Sequence, residues 1–477
     1  MIHQSARLRN GGPAAVLIFS VKMDSSRRQI LTGNLRTTVF SLALPVLLQQ
    51  CLTFCVSFTD TYLSGRIDAE ATTAIGLAAY VGWLASMLFG LVTVGTTALV
   101  ARYWGAGEFE RACRVTGCSL TLSVFAGIVC GVSCWLAARL FPEILGMDAR
   151  STDIAVRYLQ IDSFGYLFTS ITLAGAAALR GSGDMRTPTV ILGLVSVLNV
   201  IISSLLVFGP GAIPRLGVDG IVLGTVSSRI VGGVLMVVVL VRGRSGVRVR
   251  PADLTLHPHV ARRVLRIGIP AAIDGIIMWT GQFVFLRIIA ELDHGNFAST
   301  IFAAHVVCVE LEAITYLSAV AWGHAAATII GQSLGAGDPQ RAFRTGHESV
   351  RQCCIPGALV TAIFLFGSSG IYRLMHSDPA VVAIGASAFR MVALFQIPLL
   401  IGIIYVSALR GAGDSRSPML ITAVGVIGVR LPVAWICGVV LEGGLCGAWI
   451  GMCADMGLRG LLAYLWYQRS NWAEKQL

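Results

Sequence analysis

Twelve stretches of about twenty mostly apolar residues follow one another along this chain, and each is long enough to cross the hydrocarbon of a bilayer. They fall near 38–62, 72–97, 115–141, 154–178, 188–209, 217–241, 267–291, 299–325, 349–372, 380–408, 418–440 and 444–467. Charged residues make up 13% of the 477 and hydrophobic ones 55%, against about 25% charged in a soluble domain. Such a deficit over this length excludes a soluble enzyme, a nucleic-acid-binding domain and a secreted disulfide scaffold. The net charge of +11 therefore reads as arginine held at one membrane face rather than as a nucleic-acid footprint. The twelve cysteines show no metal or disulfide spacing.

An even number of spans puts both termini on one side. Of the 36 basic residues, 25 lie in the two ends and in the loops near 98–114, 179–187, 242–266, 326–351 and 409–417; about six lie in the alternate loops, counting Arg139 and Arg157 at the span ends beside them. The other five, Arg229, Arg287, Arg390, Arg430 and Arg459, fall inside spans. The positive-inside rule makes both termini cytoplasmic in a multi-pass inner or plasma membrane protein. Residues 1–36 form a cytoplasmic lead-in: the apolar run at 14–21 is too short to span, and Met23 is the expected start. Residues 468–477 form a cytoplasmic tail.

The second constraint is duplication. Arg180-Gly-Ser-Gly-Asp184, followed by Pro188, recurs as Arg410-Gly-Ala-Gly-Asp414, followed by Pro418, an offset of 230. Gly105-Ala-Gly-Glu108 recurs as Gly335-Ala-Gly-Asp338 at the same offset. Pro45 echoes Pro270 at 225. The fold class is thus an all-α membrane protein: an N-lobe at 37–241, a linker at 242–266 and a C-lobe at 267–467. Each lobe has six helices, and a pseudo-two-fold axis runs along the membrane normal. That arrangement belongs to secondary transporters, whose substrate site lies between the repeats. No H-E-x-x-H, suitably placed G-x-S-x-G or glycine-rich phosphate loop points to an enzyme.

In the paired loops, glycine supplies the tight turn. Arg180 and Arg410 sit where they can cap helix carbonyls. Asp184 and Asp414 can accept N–H groups at the start of the next helix. Pro45, Pro270, Pro398 and Pro432 kink their spans.

In order and spacing, the chain resembles the MATE (multidrug and toxic compound extrusion) family, and within it the DinF-like bacterial branch. The resemblance rests on Ala43-Leu-Pro45, Phe58-Thr-Asp-Thr-Tyr-Leu-Ser-Gly65, both R-G-x-G-D loops and Ala303-Ala-His305 through Glu312. It rests also on Gly331-Gln-Ser-Leu-Gly-Ala-Gly-Asp338 and on Gly447 to Trp472 with Asp455 and Arg459. It implies export of organic, often cationic, small molecules, driven by Na⁺ or H⁺ entry, without a further cofactor and by a monomer. A flippase for lipid-linked oligosaccharides, from the same superfamily, is the alternative; the acids of the spans argue against its basic cavity.

A charge in the membrane marks function by default. Asp60, in the outer half of the first span, is protonated or cation-bound there; the resemblance makes it the coupling aspartate and the Na⁺ ligand if sodium drives transport. Its alternative is a helix-end carboxylate beside Arg66. The resemblance makes Asn199 the cavity asparagine. The chain departs from the family pattern at Ser203 and Leu399, where relatives carry acids, so Asp60 is expected to act nearly alone in the N-lobe. Asp274, Glu310 and Glu312 are candidates for substrate or proton binding, or else for structural ion pairs. Glu310 and Glu312, about 200° apart on a helix, cannot both face one cavity. Asp162, Gln49, Gln50 and Gln396 are further cavity candidates, and Tyr62, Tyr80, Trp83, Tyr166, Trp279, Phe395 and Tyr405 could stack on a flat cation.

Overall fold

The computed structural model describes residues 27–474 except 66, 68, 145–146, 210–213, 294–299 and 377. The proposed Met23 start, the 14–21 run and the last three residues lie outside the described residues, as do the side chains of Tyr62 and Arg66.

Twelve long helical segments carry the chain. The first six are α1 (Leu35–Gly65), α2 (Ala69–Gly105), α3 (Phe109–Ala137), α4 (Ala149–Gly181), α5 (Arg186–Phe208) and α6 (Val218–Arg242). The second six begin with α7 (Pro258–Glu291), α8 (Thr300–Gly335) and α9 (Pro339–Met375). They end with α10, broken into Pro379–Ala393 and Gln396–Gly411, then α11 (Arg416–Val440) and α12 (Gly444–Arg469). Ten are apolar enough to span on composition, and the α10 pair, bent by 53°, makes an eleventh. The twelfth, α4, is 33 residues long, about 50 Å at 1.5 Å per residue. It is the least apolar because it carries Arg157, Asp153 and Asp162, and it survives by packing against α2, α3 and α6.

Pro398 explains the break in α10. It has no N–H for the Leu394 carbonyl, and the chain bends between Ala393 and Gln396. In α11, Pro432 follows a π-helical turn, Val424–Arg430, and a second such turn, Ile436–Val440, comes after it. These wide turns rotate Arg430 toward α12.

In lipid the tails outside are as apolar as leucine, so close packing rather than transfer from water holds helices together. Leu63, Ile75, Leu159, Tyr166 and Val222 form an N-lobe core at the end far from the termini. Trp104, Val115, Leu179 and Leu240 form another near the termini, which Ile267 of α7 joins from the C-lobe. In the C-lobe, Phe285, Leu311, Phe389 and Trp449 form the far core. The fourth core joins the lobes: Val39, Leu42, Ala43 and Val46 of α1 pack with Trp322, Ala325, Ile329 and Ile330 of α8.

The repeat becomes visible where α2 and α8 cross. A Cβ on Gly105 would lie 2.0 Å from the Gln332 carbonyl oxygen, and one on Gly335 would lie 2.0 Å from that of Arg102. Residues 102 and 332 are themselves related by the 230 offset, as are 105 and 335, so the two contacts are one contact seen twice about the axis. Gln332 Nε2 also donates to the Gly181 carbonyl at 2.9 Å, and Thr328 Oγ1 to that of Arg180 at 3.0 Å. The lobes are thus sealed at the end that bears the termini and the R-G-x-G-D loops. In those loops Gly183 (φ +95°) and Gly413 (φ +89°) take the left-handed region. Asp184 accepts from Thr187 N at 3.0 Å and Asp414 from Ser417 N at 3.3 Å, as the motif predicts.

Candidate functional site

Beyond Val46, α1 leaves the shared core and shows two exposed faces. At 100° per residue, Leu44, Leu48, Cys51, Cys55 and Phe58 share one face. Gln49, Thr53, Ser57 and Asp60 share another, about 175° away. The first is apolar and exposed; the second is polar, and Thr53 and Ser57 on it are exposed. One helix cannot present both faces to lipid, so the polar one borders a wet cleft. Across the cleft, Tyr316 of α8 is 42% exposed yet lies within electrostatic range of Arg410, Asp274 and Arg459. Its ring thus reaches solvent beside the C-lobe charges.

On the N-lobe wall, Asp60 is half-buried, and its Oδ1 is enclosed without a hydrogen-bond partner. It does not act alone. Arg229 and Asp162 lie within electrostatic range of it, and Arg229 Nη1 donates to Asp162 Oδ1 at 2.7 Å. The guanidinium also stands 5.8 Å from the Tyr166 ring centroid. Asn199 is 3% exposed; its Nδ2 donates to Thr225 Oγ1 at 2.9 Å, which leaves its Oδ1 buried and unpartnered. Tyr158 connects the two parts, being in range of Asp60 and hydrogen-bonded to Thr225. Ser203, where relatives carry an acid, donates to the Ile221 carbonyl at 3.2 Å. Two carboxyl groups, one guanidinium and a buried, unpartnered amide oxygen thus belong to one region of the N-lobe, and with both carboxyls ionised it has one negative charge in excess.

The C-lobe is built differently. Asp455, fully buried, accepts from Arg430 (2.9 and 2.5 Å) and from Arg459 (2.6 and 2.8 Å). Arg430 also reaches Gln282 Oε1 at 3.3 Å. Glu312, 8% exposed, lies in the field of Arg430, Arg459 and Asp455. Glu310 is exposed, so the rotational argument holds: the two glutamates part company. Asp274 is buried and paired with Arg410. Three carboxylates meet three guanidinium groups, and the C-lobe cluster is neutral.

Several expectations need correction. Arg180 and Arg410 do not cap carbonyls: Arg180 is buried and donates to Gln49 Oε1 at 2.8 Å, and Arg410 binds Asp274. At both helix ends the carbonyls are already taken: the N–H groups of Ser182, Gly183 and Asp184 donate to those of Ala178, Arg180 and Leu179, and Ala412, Gly413 and Asp414 repeat the pattern. His324 of α8 stands within electrostatic range of the two guanidinium groups. Gln396 is fully buried, donating to the Val392 carbonyl at 3.3 Å, and lines no open space. Gln50 accepts from Gln49 at 3.4 Å. Arg390 pairs with the hydroxyls of Ser368 and Ser369 rather than with a glutamate.

Among the aromatics, Tyr80 of α2 meets Trp279 and Phe283 of α7 at 5.2 and 6.4 Å, and Trp83 at 5.7 Å, a half-buried group across the lobe boundary. Tyr405 instead bonds His347 at 2.7 Å. Pro45 and Pro270 sit inside α1 and α7, and Thr189 Oγ1 donates to the Pro45 carbonyl at 3.0 Å. Among the described residues, no group of three His, Cys, Asp or Glu could hold a tightly bound metal. Sequence reading missed the partnership of Arg229 with Asp60 and Asp162; an arginine inside a span was the signal for it.

With this geometry in hand, the comparisons are consistent. A "Probable multidrug resistance protein NorM" from Thermotoga maritima is 28% identical over 447 residues, covering 93% of this chain and 94% of the relative. An "Uncharacterized transporter YisQ" from Bacillus subtilis is 22% identical, covering 92% and 95%. Among solved structures, the outward-facing conformation of a multidrug resistance MATE family transporter superposes with a TM-score of 0.85 at 20% identity, covering 92% of this chain and 96% of that one. A MOP superfamily transporter from Pyrococcus furiosus gives 0.86 at 20%, also covering 92% and 96%. At such identities the structures speak for the fold alone. The MatE family model matches residues 45–205 and 270–436, one segment in each lobe, and the chain therefore belongs to the MatE family of transporters.

Proposed function

We propose that the chain is a secondary active multidrug exporter: Na⁺ or H⁺ enters at Asp60 while an organic, often cationic, compound leaves through the chamber. The observation that carries this reading is the surplus carboxylate of the N-lobe, set beside the unpartnered oxygen of Asn199. Asp60 and Asp162 share one guanidinium. A proton or a sodium ion restores neutrality; Na⁺ would take oxygens from Asp60 and Asn199. The Tyr80, Trp279 and Phe283 rings offer a surface on which a flat cation can stack, and relatives bearing the name multidrug resistance protein support the substrate class.

The cycle follows from the seal. If the terminus-bearing end lies in the cytoplasm, the contact between α2 and α8 closes the inner side, and a chamber between the lobes would open outward. An ion drives export only if it binds this opening and the inward one with different affinity. Loading Asp60 favours the outward release of substrate, and its unloading lets the lobes rock back.

Reconstitution tests the proposal. Proteoliposomes are loaded with ethidium, and Na⁺ and H⁺ gradients are imposed separately. One gradient is expected to drive efflux, and Asp60→Asn to abolish that drive while ethidium still binds. Full gradient-driven efflux by the variant would remove Asp60 from the mechanism. Movement of a lipid-linked sugar with no drug transport would favour the flippase reading.

A further inference from the structure

The first two turns of α7 carry His259, Arg262, Arg263 and Arg266, all exposed, around a hollow of about 370 Å³. Their spacing of i, i+3, i+4 and i+7 places them on one side of the helix. Among the described residues, none of the four is ion-paired to a carboxylate. Arg263 Nη1 instead donates to the neutral Tyr103 hydroxyl of α2 at 2.7 Å. Three guanidinium groups and an imidazole around one hollow, with no counter-charge, call for an anion.

The same face continues beyond the charges. Ile269, Ile273 and Ile276 follow Arg262 and Arg266 at steps of three and four and are 48%, 41% and 41% exposed. At 100° per residue, this stripe lies roughly 110° from Gly268 and Gly275, which pack on Leu91 and Met87 of α2. It lies roughly 150° from Asp274 and Met278, which meet Arg410 and Arg459. It is therefore the face turned away from both the other lobe and the C-lobe interior, toward lipid. A free anion has use for the arginines but none for the isoleucines, and an acidic peptide has no place in hydrocarbon. A molecule with a phosphate at one end and an acyl chain at the other matches the whole stripe.

We propose that this face of α7 is a binding site for one anionic phospholipid, its phosphate among Arg262, Arg263 and Arg266 and its chain along Ile269, Ile273 and Ile276. The site borders the lobe seam, since Val264 on the same turns packs its carbonyl against Gly95 of α2. The inference is independent of ion coupling at Asp60.

Native mass spectrometry of the full chain in detergent, titrated with phosphatidylglycerol or phosphatidylcholine, tests it. A juxtamembrane charge contributes enough that Arg262→Gln with Arg266→Gln should weaken phosphatidylglycerol binding roughly thirtyfold. Phosphatidylcholine binding should not change. Arg28→Gln with Arg344→Gln removes equal charge from exposed positions elsewhere and should leave phosphatidylglycerol binding within about twofold. The melting temperature of the Arg262/Arg266 variant without lipid should match that of the parent, which separates lost binding from lost fold. Unchanged phosphatidylglycerol binding by that variant would overturn the proposal. Displacement of the lipid by inorganic phosphate at equal concentration would overturn it too, because a headgroup alone would then account for the affinity.

Discussion

Replacing Gly105 with alanine should open the seal. The added Cβ would lie 2.0 Å from the Gln332 carbonyl oxygen and 2.6 Å from that residue's carbonyl carbon and Cα. All three are backbone atoms of a helix in the other lobe, so no side chain can swing aside. A tolerable contact needs a retreat of about 1 Å or more, which only separation of α2 from α8 supplies. Overpacking of this kind costs ~1–3 kcal/mol. The cost falls on the sealed state and not on a state in which these helices part, so the sealed population should drop by a factor of ~5–150. Ser333, fully buried beside the crossing, reports on it. With Ser333→Cys as background, alkylation of that thiol by an impermeant maleimide, read at that residue by mass spectrometry, should accelerate by the same factor. Gly335→Ala, the symmetry mate, should do the same. Gly370→Ala, whose Cβ would meet nothing within 4 Å, should not. An unchanged rate in a folded Gly105→Ala protein would refute the assignment of this crossing as the gate.

Two further outcomes concern stability. Asp455→Asn leaves two buried guanidinium groups without their shared carboxylate, a loss of ~3–5 kcal/mol, expected as a large fall in melting temperature in detergent; adding Arg430→Gln should recover part of it, and no recovery would contradict a charge-balanced cluster. Gly183→Ala and Gly413→Ala put a Cβ into the left-handed region at ~1–2 kcal/mol each, seen as a modest fall in melting temperature for either; an unchanged value for both would show that the paired loops are not held in that geometry.

The spans and the duplication were legible because both are one-dimensional. Hydrocarbon demands a fixed length of apolar residues, and a repeat shows itself as an offset. The same 230 residues that separate the R-G-x-G-D loops turn up again as the 102/332 and 105/335 contacts at the axis. The capping aspartates were legible because their partners lie three residues away. What escaped was rotation. Whether Arg180 faces the helix end or Gln49, 131 residues distant, depends on how α4 is turned against α1, and no local pattern fixes that. Gln396 was misplaced for the same reason, since the 53° break in α10 resets the phase of everything after it. The Asp162–Arg229 pair could have been anticipated: an arginine inside a span needs a polar partner, and a carboxylate is the strongest one.

Duplication predicts that both lobes begin alike, so the places where they now differ indicate where the work is divided. Outside the loops, the two interiors have opposite electrostatic habits. In the C-lobe, Asp455 sits fully buried between Arg430 and Arg459, Glu312 lies in their field, and Asp274 has Arg410. Such a cluster is satisfied whether or not an ion is present, and it favours a fixed arrangement of α7, α11 and α12. In the N-lobe, Asp162 holds Arg229 and Asp60 lies in the field of both, so two carboxylates face one guanidinium. On the proposed reading, a neutral lobe that keeps its arrangement and a charged lobe short of one counter-charge let the coupling ion act on one side of the molecule while the other side supplies the surface it moves against. Transferring the imbalance should therefore transfer the coupling. Arg229→Gln leaves two carboxylates without a cation, and it should raise the number of ions needed to neutralise the N-lobe from one to two, read as a steeper dependence of efflux on ion concentration. A dependence that keeps its wild-type steepness would mean that the charge count of this lobe does not set the stoichiometry.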